Sequence, residues 1–364
     1  MILRVLHSLF LVLVIGTASL SGCLGSIEPK VDSTTVRILT YDVYALSEGM
    51  IEQFERESGY EVVFTKVGDG GEVLENALRT QELPVADLII GIDNSFLQVA
   101  LDHSLFRSHG MELTGLHPQA LAPYDGSMAV PFDWGRVCIN VDSGYADGEN
   151  VSMPDDLWDL TEDDWKGKVA VQNPRSSTPG RAFLAATIDY FENDADASTD
   201  YRDWWHAMSN NDVIVTSGWS ESYLNHYEAG YGIWEDSFIG GAHAVVSYCH
   251  SPGAEAYWGG GETDSVALNI SGASFLQVEY AGIASGPEVN IEGAQAFLEF
   301  LLSPELQATI PDTNVMYPAS SQHSLPSGPY SEHTAVPAAD ADISMQRIGS
   351  EMEGWLLAWD EAMA

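Results

Sequence analysis

Val171-Gln172-Asn173-Pro174-Arg175-Ser176-Ser177-Thr178-Pro179-Gly180 decides how the rest of this 364-residue chain reads. Just before it, Lys168-Val169-Ala170-Val171 reads as a short buried strand; just after it, Arg181-Ala182-Phe183-Leu184-Ala185-Ala186 opens a helix. The turn between carries three consecutive hydroxyls and two prolines. A strand that stops at such a turn and restarts as a helix leaves backbone N–H groups and hydroxyls converging on one spot. That geometry suits a polar or anionic ligand group at a helix N-terminus. An ordinary capped strand-to-helix turn accounts for the same residues, so the surrounding chain has to decide.

Upstream, the same alternation repeats. Val36-Arg37-Ile38-Leu39-Thr40 is a strand ending in Tyr41-Asp42, and Met50, Ile51 and Phe54 recur at helical spacing before Gly59 closes that helix. Glu61-Val62-Val63-Phe64 is a second strand, followed by the turn Gly68-Asp69-Gly70-Gly71 and a helix from about 72 to 80. Asp87-Leu88-Ile89-Ile90 is a third strand, ending in Gly91-Ile92-Asp93-Asn94. Strands and helices alternating at this length imply a mostly parallel sheet covered on both faces. In such sheets ligands sit beyond the carboxyl ends of the strands, where Tyr41, Asp69 and Asp93 fall. The Pro131-Phe132-Asp133-Trp134-Gly135 stretch reads as a crossing into a second lobe that contains the hydroxyl turn. Downstream come helices near 181–191 and 201–208, a strand over 212–216, and Gly218-Trp219-Ser220-Glu221 opening another helix. Ala244 to Tyr248 is a further strand, and Cys249-His250-Ser251-Pro252-Gly253 returns toward the first lobe. A late strand over 275–283, a helix over 294–301 and an amphipathic helix over 342–363, interrupted by Gly349 and Gly354, complete the pattern.

Charge narrows the function. The formal charge of −40 comes from 54 acidic against 14 basic residues, only four of them lysines. Nucleic-acid binding needs clustered Lys and Arg, and this composition excludes it. An acidic, lysine-poor surface suits solubility in salty water, where screening weakens self-repulsion. The first residues are a leader: Arg4, then an uninterrupted apolar run from Leu9 to Ile15, then Leu20-Ser21-Gly22-Cys23. This resembles a lipobox, which implies cleavage before Cys23 and a lipid on its thiol, with a polar tether over 24–35. Whether the two remaining cysteines, Cys138 and Cys249, pair is open at this point.

Signals for catalysis and metals fail one by one. Gly218-Trp219-Ser220-Glu221-Ser222 misses the second glycine that a nucleophile elbow needs, so a serine hydrolase is a minor alternative and Ser220 reads as a helix cap. Asp194, Asp196, Ser198 and Asp200 imitate a calcium loop but lack its glycine and its final glutamate. Gly68-Asp69-Gly70-Gly71 has neither a Walker lysine nor dinucleotide glycine spacing. What survives is a set of aromatics at strand ends and crossings: Tyr41, Trp134, Trp219, Tyr248, Tyr257 and Trp258. Each alone reads as core packing. With carboxylates between them they suit a flat organic cation held by stacking and cation–π attraction.

Thr40-Tyr41-Asp42, Gly91-Ile92-Asp93-Asn94, Pro131-Phe132-Asp133-Trp134-Gly135, Pro174-Arg175-Ser176-Ser177-Thr178-Pro179-Gly180, Gly218-Trp219-Ser220-Glu221, Ser247-Tyr248 and Met316-Tyr317-Pro318 run in order over about residues 36–320. In these stretches the chain resembles the thiamine-binding proteins of ABC importers. The resemblance implies a two-lobed α/β fold of the type II periplasmic-binding-protein class, two α/β domains joined by hinge crossings. Residues 1–22 would be the signal peptide and 23–35 the tether. Residues 36–131 with about 254–320 would form the first lobe, and 132–253 with about 321–364 the second. It further implies a monomer that captures thiamine or its phosphates without a cofactor, metal or catalysis, and delivers it to a permease from the outer face of the membrane. Tyr41, Asp69, Gly70, Asp93, Ser176, Ser177, Trp219, Tyr248 and Tyr257 are the expected ligand-binding residues. A ferric-ion or polyamine carrier is the alternative within binding proteins. The chain departs from the family pattern twice, with Val315 where a tryptophan precedes Met-Tyr-Pro and Ala254 where a second tyrosine follows Ser-Pro; Tyr257 or Trp258 is the expected replacement.

Overall fold

The computed structural model describes residues 34–194 and 198–364. The leader, Cys23 and the tether up to residue 33 lie outside the described residues, as does Asp196 of the calcium-like loop. Eight strands form the spine of one sheet: β1 (Thr35–Tyr41), β2 (Glu61–Val67), β3 (Leu88–Asp93), β4 (Val130–Asp142), β5 (Val169–Gln172), β6 (Ile214–Thr216), β7 (Ala244–Tyr248) and β8 (Phe275–Ala284). Their order across the sheet is β2-β1-β3-β8-β4-β7-β5-β6, and three shorter strands pair with β4 and β8. Parallel pairing holds within β2-β1-β3 and within β7-β5-β6. The two long central strands run antiparallel to their neighbours, so the sheet is mixed where a mostly parallel one was expected. The reason is topological: the chain crosses from one half to the other in β4 and comes back in β8.

Those two strands also divide the apolar core. Residues from Val36 to Trp134 and from Val278 to Met316 pack in one cluster. Residues from Val137 to Phe275, joined by Ile348, Met352, Trp355 and Trp359, pack in another. The change-over falls between Trp134 and Val137 in β4 and between Phe275 and Val278 in β8. In the register of the pair, Trp134 faces Val278 and Val137 faces Phe275. One cross-section through two paired strands is therefore the boundary between the cores.

Local chemistry explains the elements that point at this boundary. Helix α1 (Glu48–Ser58) ends at Gly59, whose left-handed φ of 76° lets its N–H reach the Glu55 carbonyl. Helix α2 (Gly70–Arg79) is opened by Asp69 in a capping box with Glu72. Helix α3 (Thr178–Glu192) begins at Thr178, earlier than the expected 181, because Ser177 caps it and Pro179 is well suited to a first turn. Its alanines and Phe183 are buried on nearly every side. The terminal helix α4 (Met345–Met363) runs through Gly349 and Gly354 without the expected interruption. Burial of its Ile348-Met352-Trp355-Trp359 stripe outweighs two glycines at about 1 kcal/mol each.

Cys138 and Cys249 form a disulfide, with Cα atoms 5.0 Å apart and 111 residues between them in sequence. It ties the middle of β4 to the residue after β7. Among the described residues no helix is long and apolar enough to cross a membrane.

Candidate functional site

The carboxyl ends of β1 and β2 face those of β5, β6 and β7 across a cleft, and one carboxylate bridges the two sides twice. Asp69, capping α2, accepts from the Thr178 N–H at 3.2 Å and from the Trp219 N–H at 3.1 Å. Gly71 N–H donates to the Ser176 carbonyl at 2.8 Å, and the Ser220 hydroxyl donates to Asp42 at 2.9 Å. Approach this close requires glycine. A Cβ at Gly70 would lie 2.1 Å from Thr178 Oγ1, and one at Gly71 would lie 2.4 Å from the Ser176 carbonyl oxygen.

Behind these contacts lies a cavity with about 840 Å³ of empty space, its open mouth included. Tyr41, Asp69, Trp219 and Tyr248, all expected, line it. The Trp219 ring stacks on Tyr223 at 4.7 Å between centroids and 16° between planes, and its Nε1 donates to Ser247 Oγ at 2.9 Å. Tyr248 accepts from Gln277 Nε2 at 3.1 Å. Tyr41 lies over Gly91, where a Cβ would fall 2.2 Å from the ring, and its hydroxyl donates to Glu279 at 2.8 Å.

Five expected residues stand elsewhere. Gly70 serves the close approach just described. Ser177 is wholly buried as the cap of α3, its hydroxyl accepting from Gly180. Ser176 turns away and donates to the Ser217 carbonyl at 2.5 Å, so the hydroxyl turn gives Thr178 and Pro179 to the cavity instead. Asp93 is buried beneath the site, accepting from Ser95 and Phe96, and burial pushes its carboxyl up to about 7. Tyr257 is half exposed, edge-on to Trp258 and outside the cavity.

The charge at the floor of the cavity was not foreseen. Glu279 of β8 sits opposite Asp133 of β4 in the strand register, both buried. Glu279 accepts from Tyr41 and from Gln277, and Asp133 accepts from Asn314. Burial, reinforced by neighbouring carboxylates, pushes both acids well above the usual range. Sequence alternation in β8 reads Gln277 and Glu279 as one face of a strand, but only the pairing with β4 reveals that this face is the cavity floor. Val315 and Ala254, the two departures from the family pattern, both line the cavity, and Tyr231 lines it too. No Lys or Arg is among the lining residues.

The model of the bacterial extracellular solute-binding proteins matches residues 49–338. The chain belongs to that family. It is a family of solute-binding proteins rather than of enzymes. This solute-binding protein is 28% identical over 343 residues to the thiamine-binding periplasmic protein of Salmonella typhimurium, covering 92% of this chain and 95% of the relative. The solved structure of a periplasmic thiamin binding protein matches it with a TM-score of 0.77 at 26% identity, over 91% of this chain and 96% of that one. Iron-bound HitA from Pseudomonas aeruginosa, at a TM-score of 0.67 and 15% identity over 91% of this chain and 100% of its own, shares the fold alone. That fold is the two-lobed type II binding-protein architecture, and the cavity lies where its two halves meet.

Proposed function

We propose that this solute-binding protein captures thiamine or a thiamine phosphate outside the cytoplasmic membrane and delivers it to an ABC permease, held to the membrane by a lipid on Cys23. The observation that carries the reading is the make-up of the cavity: aromatic side chains of Trp219, Tyr41 and Tyr248, carboxylates of Glu279, Asp69 and Asp42, and no cationic side chain in its lining. Thiamine is a pair of flat rings with a fixed positive charge on one of them. Stacking, cation–π attraction and a buried carboxylate are what such a ligand requires.

Capture follows from the hinge. The lobes pivot about β4 and β8, and Asp69 latches them by receiving amides from the starts of two helical segments. A ligand bound between Trp219 and the Glu279 floor adds contacts that exist only in the closed form, which shifts the population toward it. The ligand is cargo, so no cofactor is needed, and the protein carries out no covalent step. Ser220, the serine of the near-elbow, spends its hydroxyl on Asp42. Calorimetric titration against thiamine, its mono- and diphosphate, spermidine and ferric ion tests the proposal. Tight one-to-one binding of a thiamine compound and none of the last two is expected; the reverse pattern defeats it.

A further inference from the structure

We propose that Tyr231 is a ligand-contacting, specificity-determining residue, a second aromatic wall of the cavity beside Trp219. The inference rests on the thiamine reading and adds the residue that sets how a flat ring is gripped. Tyr231 begins the turn Tyr231–Trp234 in an excursion between β6 and β7. The base of that excursion is pinned by Glu228 N–H to the Ala242 carbonyl at 2.9 Å and by Ile239 N–H to the Asn225 carbonyl at 2.6 Å. Ile233 and Trp234 at its tip and Ile239 at its base are exposed, so these apolar side chains are not spent on a core. Tyr231 is different, because it lines the cavity.

Its position is built rather than incidental. Gly232 seats the turn on the helical segment that follows Trp219: a Cβ there would lie 2.2 Å from the Leu224 carbonyl oxygen. The Tyr231 ring meets Tyr223 edge-on at 5.3 Å, and Trp219 stacks on the same Tyr223 at 4.7 Å. Two cavity-lining rings thus share one backing ring, which is itself held by a hydrogen bond from its hydroxyl to buried Glu255. Their separation is set before any ligand arrives, which lowers the ordering cost of gripping a ring. Around them the lining falls to Ala254 and Val315, so Tyr231 is the bulk available on that part of the wall. Among the described residues its hydroxyl has no hydrogen-bond partner, and burial with the nearby Glu255 keeps the phenol neutral. The hydroxyl is therefore open to an acceptor on the ligand.

Three variants test this on the full-length protein: Tyr231→Phe, which removes the hydroxyl; Tyr231→Leu, which keeps apolar bulk but removes the ring; and Trp219→Phe as a reference on the neighbouring wall. Each is titrated with thiamine by calorimetry, with a thermal melt on the same sample. Tyr231→Leu is expected to weaken thiamine by about tenfold or more and Tyr231→Phe by only about threefold, with melting close to wild type. A Tyr231→Leu protein that melts normally and binds within about twofold of wild type overturns the inference. If wild type ignores thiamine and takes another compound of the panel, the parent reading has failed. Tyr231 is then judged by whether Tyr231→Leu alters the affinity for that compound: an unchanged affinity rejects it as a ligand contact, and a tenfold loss retains it.

Discussion

Replacing Trp219 by alanine separates its two jobs. Its ring is half-buried, stacked on Tyr223 and tethered through Nε1 to Ser247, and the residue lines the cavity. Toward the ligand, losing a desolvated cation–π contact costs about 2 kcal/mol, and lost apolar burial adds roughly 1–3 more. At about 1.4 kcal/mol per tenfold, thiamine affinity should fall at least about a hundredfold. Toward the fold, a fully buried tryptophan cut to alanine costs about 3–5 kcal/mol. Trp219 is only partly buried and loses one hydrogen bond and one stack, so about 1–3 kcal/mol is expected. The melting temperature should therefore drop by several degrees while the protein stays folded. Calorimetry well below the lowered transition, paired with a thermal melt, reads both quantities on one sample. A variant that melts far earlier yet binds thiamine within about threefold of wild type would refute the argument, since Trp219 would then be packing alone.

Four further outcomes follow from the same geometry. Burial and neighbouring carboxylates raise Glu279, so the free site holds a proton near neutrality that a cation must displace; thiamine affinity should rise with pH in wild type and become weaker and flatter in Glu279→Gln, read by titrations across pH. Glu255 is pushed by burial up to about 7, so the folded state binds more protons than the unfolded one and stability should fall as pH rises from about 4.5 to 7. Glu255→Gln should lessen that fall, to which Asp93, Asp133 and Glu279 also contribute, and raise the melting temperature most at alkaline pH, with roughly 3 kcal/mol as the ceiling. Opening the disulfide by Cys138→Ser with Cys249→Ser releases a loop of 111 residues and should cost about 2–5 kcal/mol in denaturant unfolding. Cys23→Ala should move the protein from the membrane fraction to the soluble one with thiamine affinity unchanged, because a polar tether separates anchor from fold; a variant still firmly in the membrane would contradict the lipid anchor.

How much of this was legible in the chain depended on whether a residue acts locally. Asp69 stands at a strand end and helix start, so periodicity places it near a cleft, while Trp219 and Tyr248 stand at similar positions and are assigned to the site through the family resemblance. Ser176 and Ser177 carry the same local signal but end in caps and turn bonds, because in a tight turn the backbone claims hydroxyls before a ligand can. Glu279 and Asp133 were invisible as a pair, since 146 residues separate them in number and only the β4–β8 register sets them opposite each other. The mixed sheet was missed for the same reason: local periodicity reports a strand, while its direction depends on how long connections return. Tyr257 lies near Ala254 in sequence, yet the helix it belongs to turns it outward. The ring that does line the cavity, Tyr231, comes from an excursion whose composition reads as an ordinary loop. Gly349 and Gly354 carried a true local cost that tertiary burial overrode.

The central claim is that a flat cation lies between the lobes, stacked on Trp219 with its charge toward Glu279. A crystal structure of the protein grown with thiamine tests it most directly. The account predicts ligand density in this cavity, a ring in van der Waals contact with Trp219 and Tyr231, and the positive ring nearer Glu279 than any other carboxylate. Density at another place on the molecule, or a thiamine whose rings touch neither aromatic wall, would contradict it.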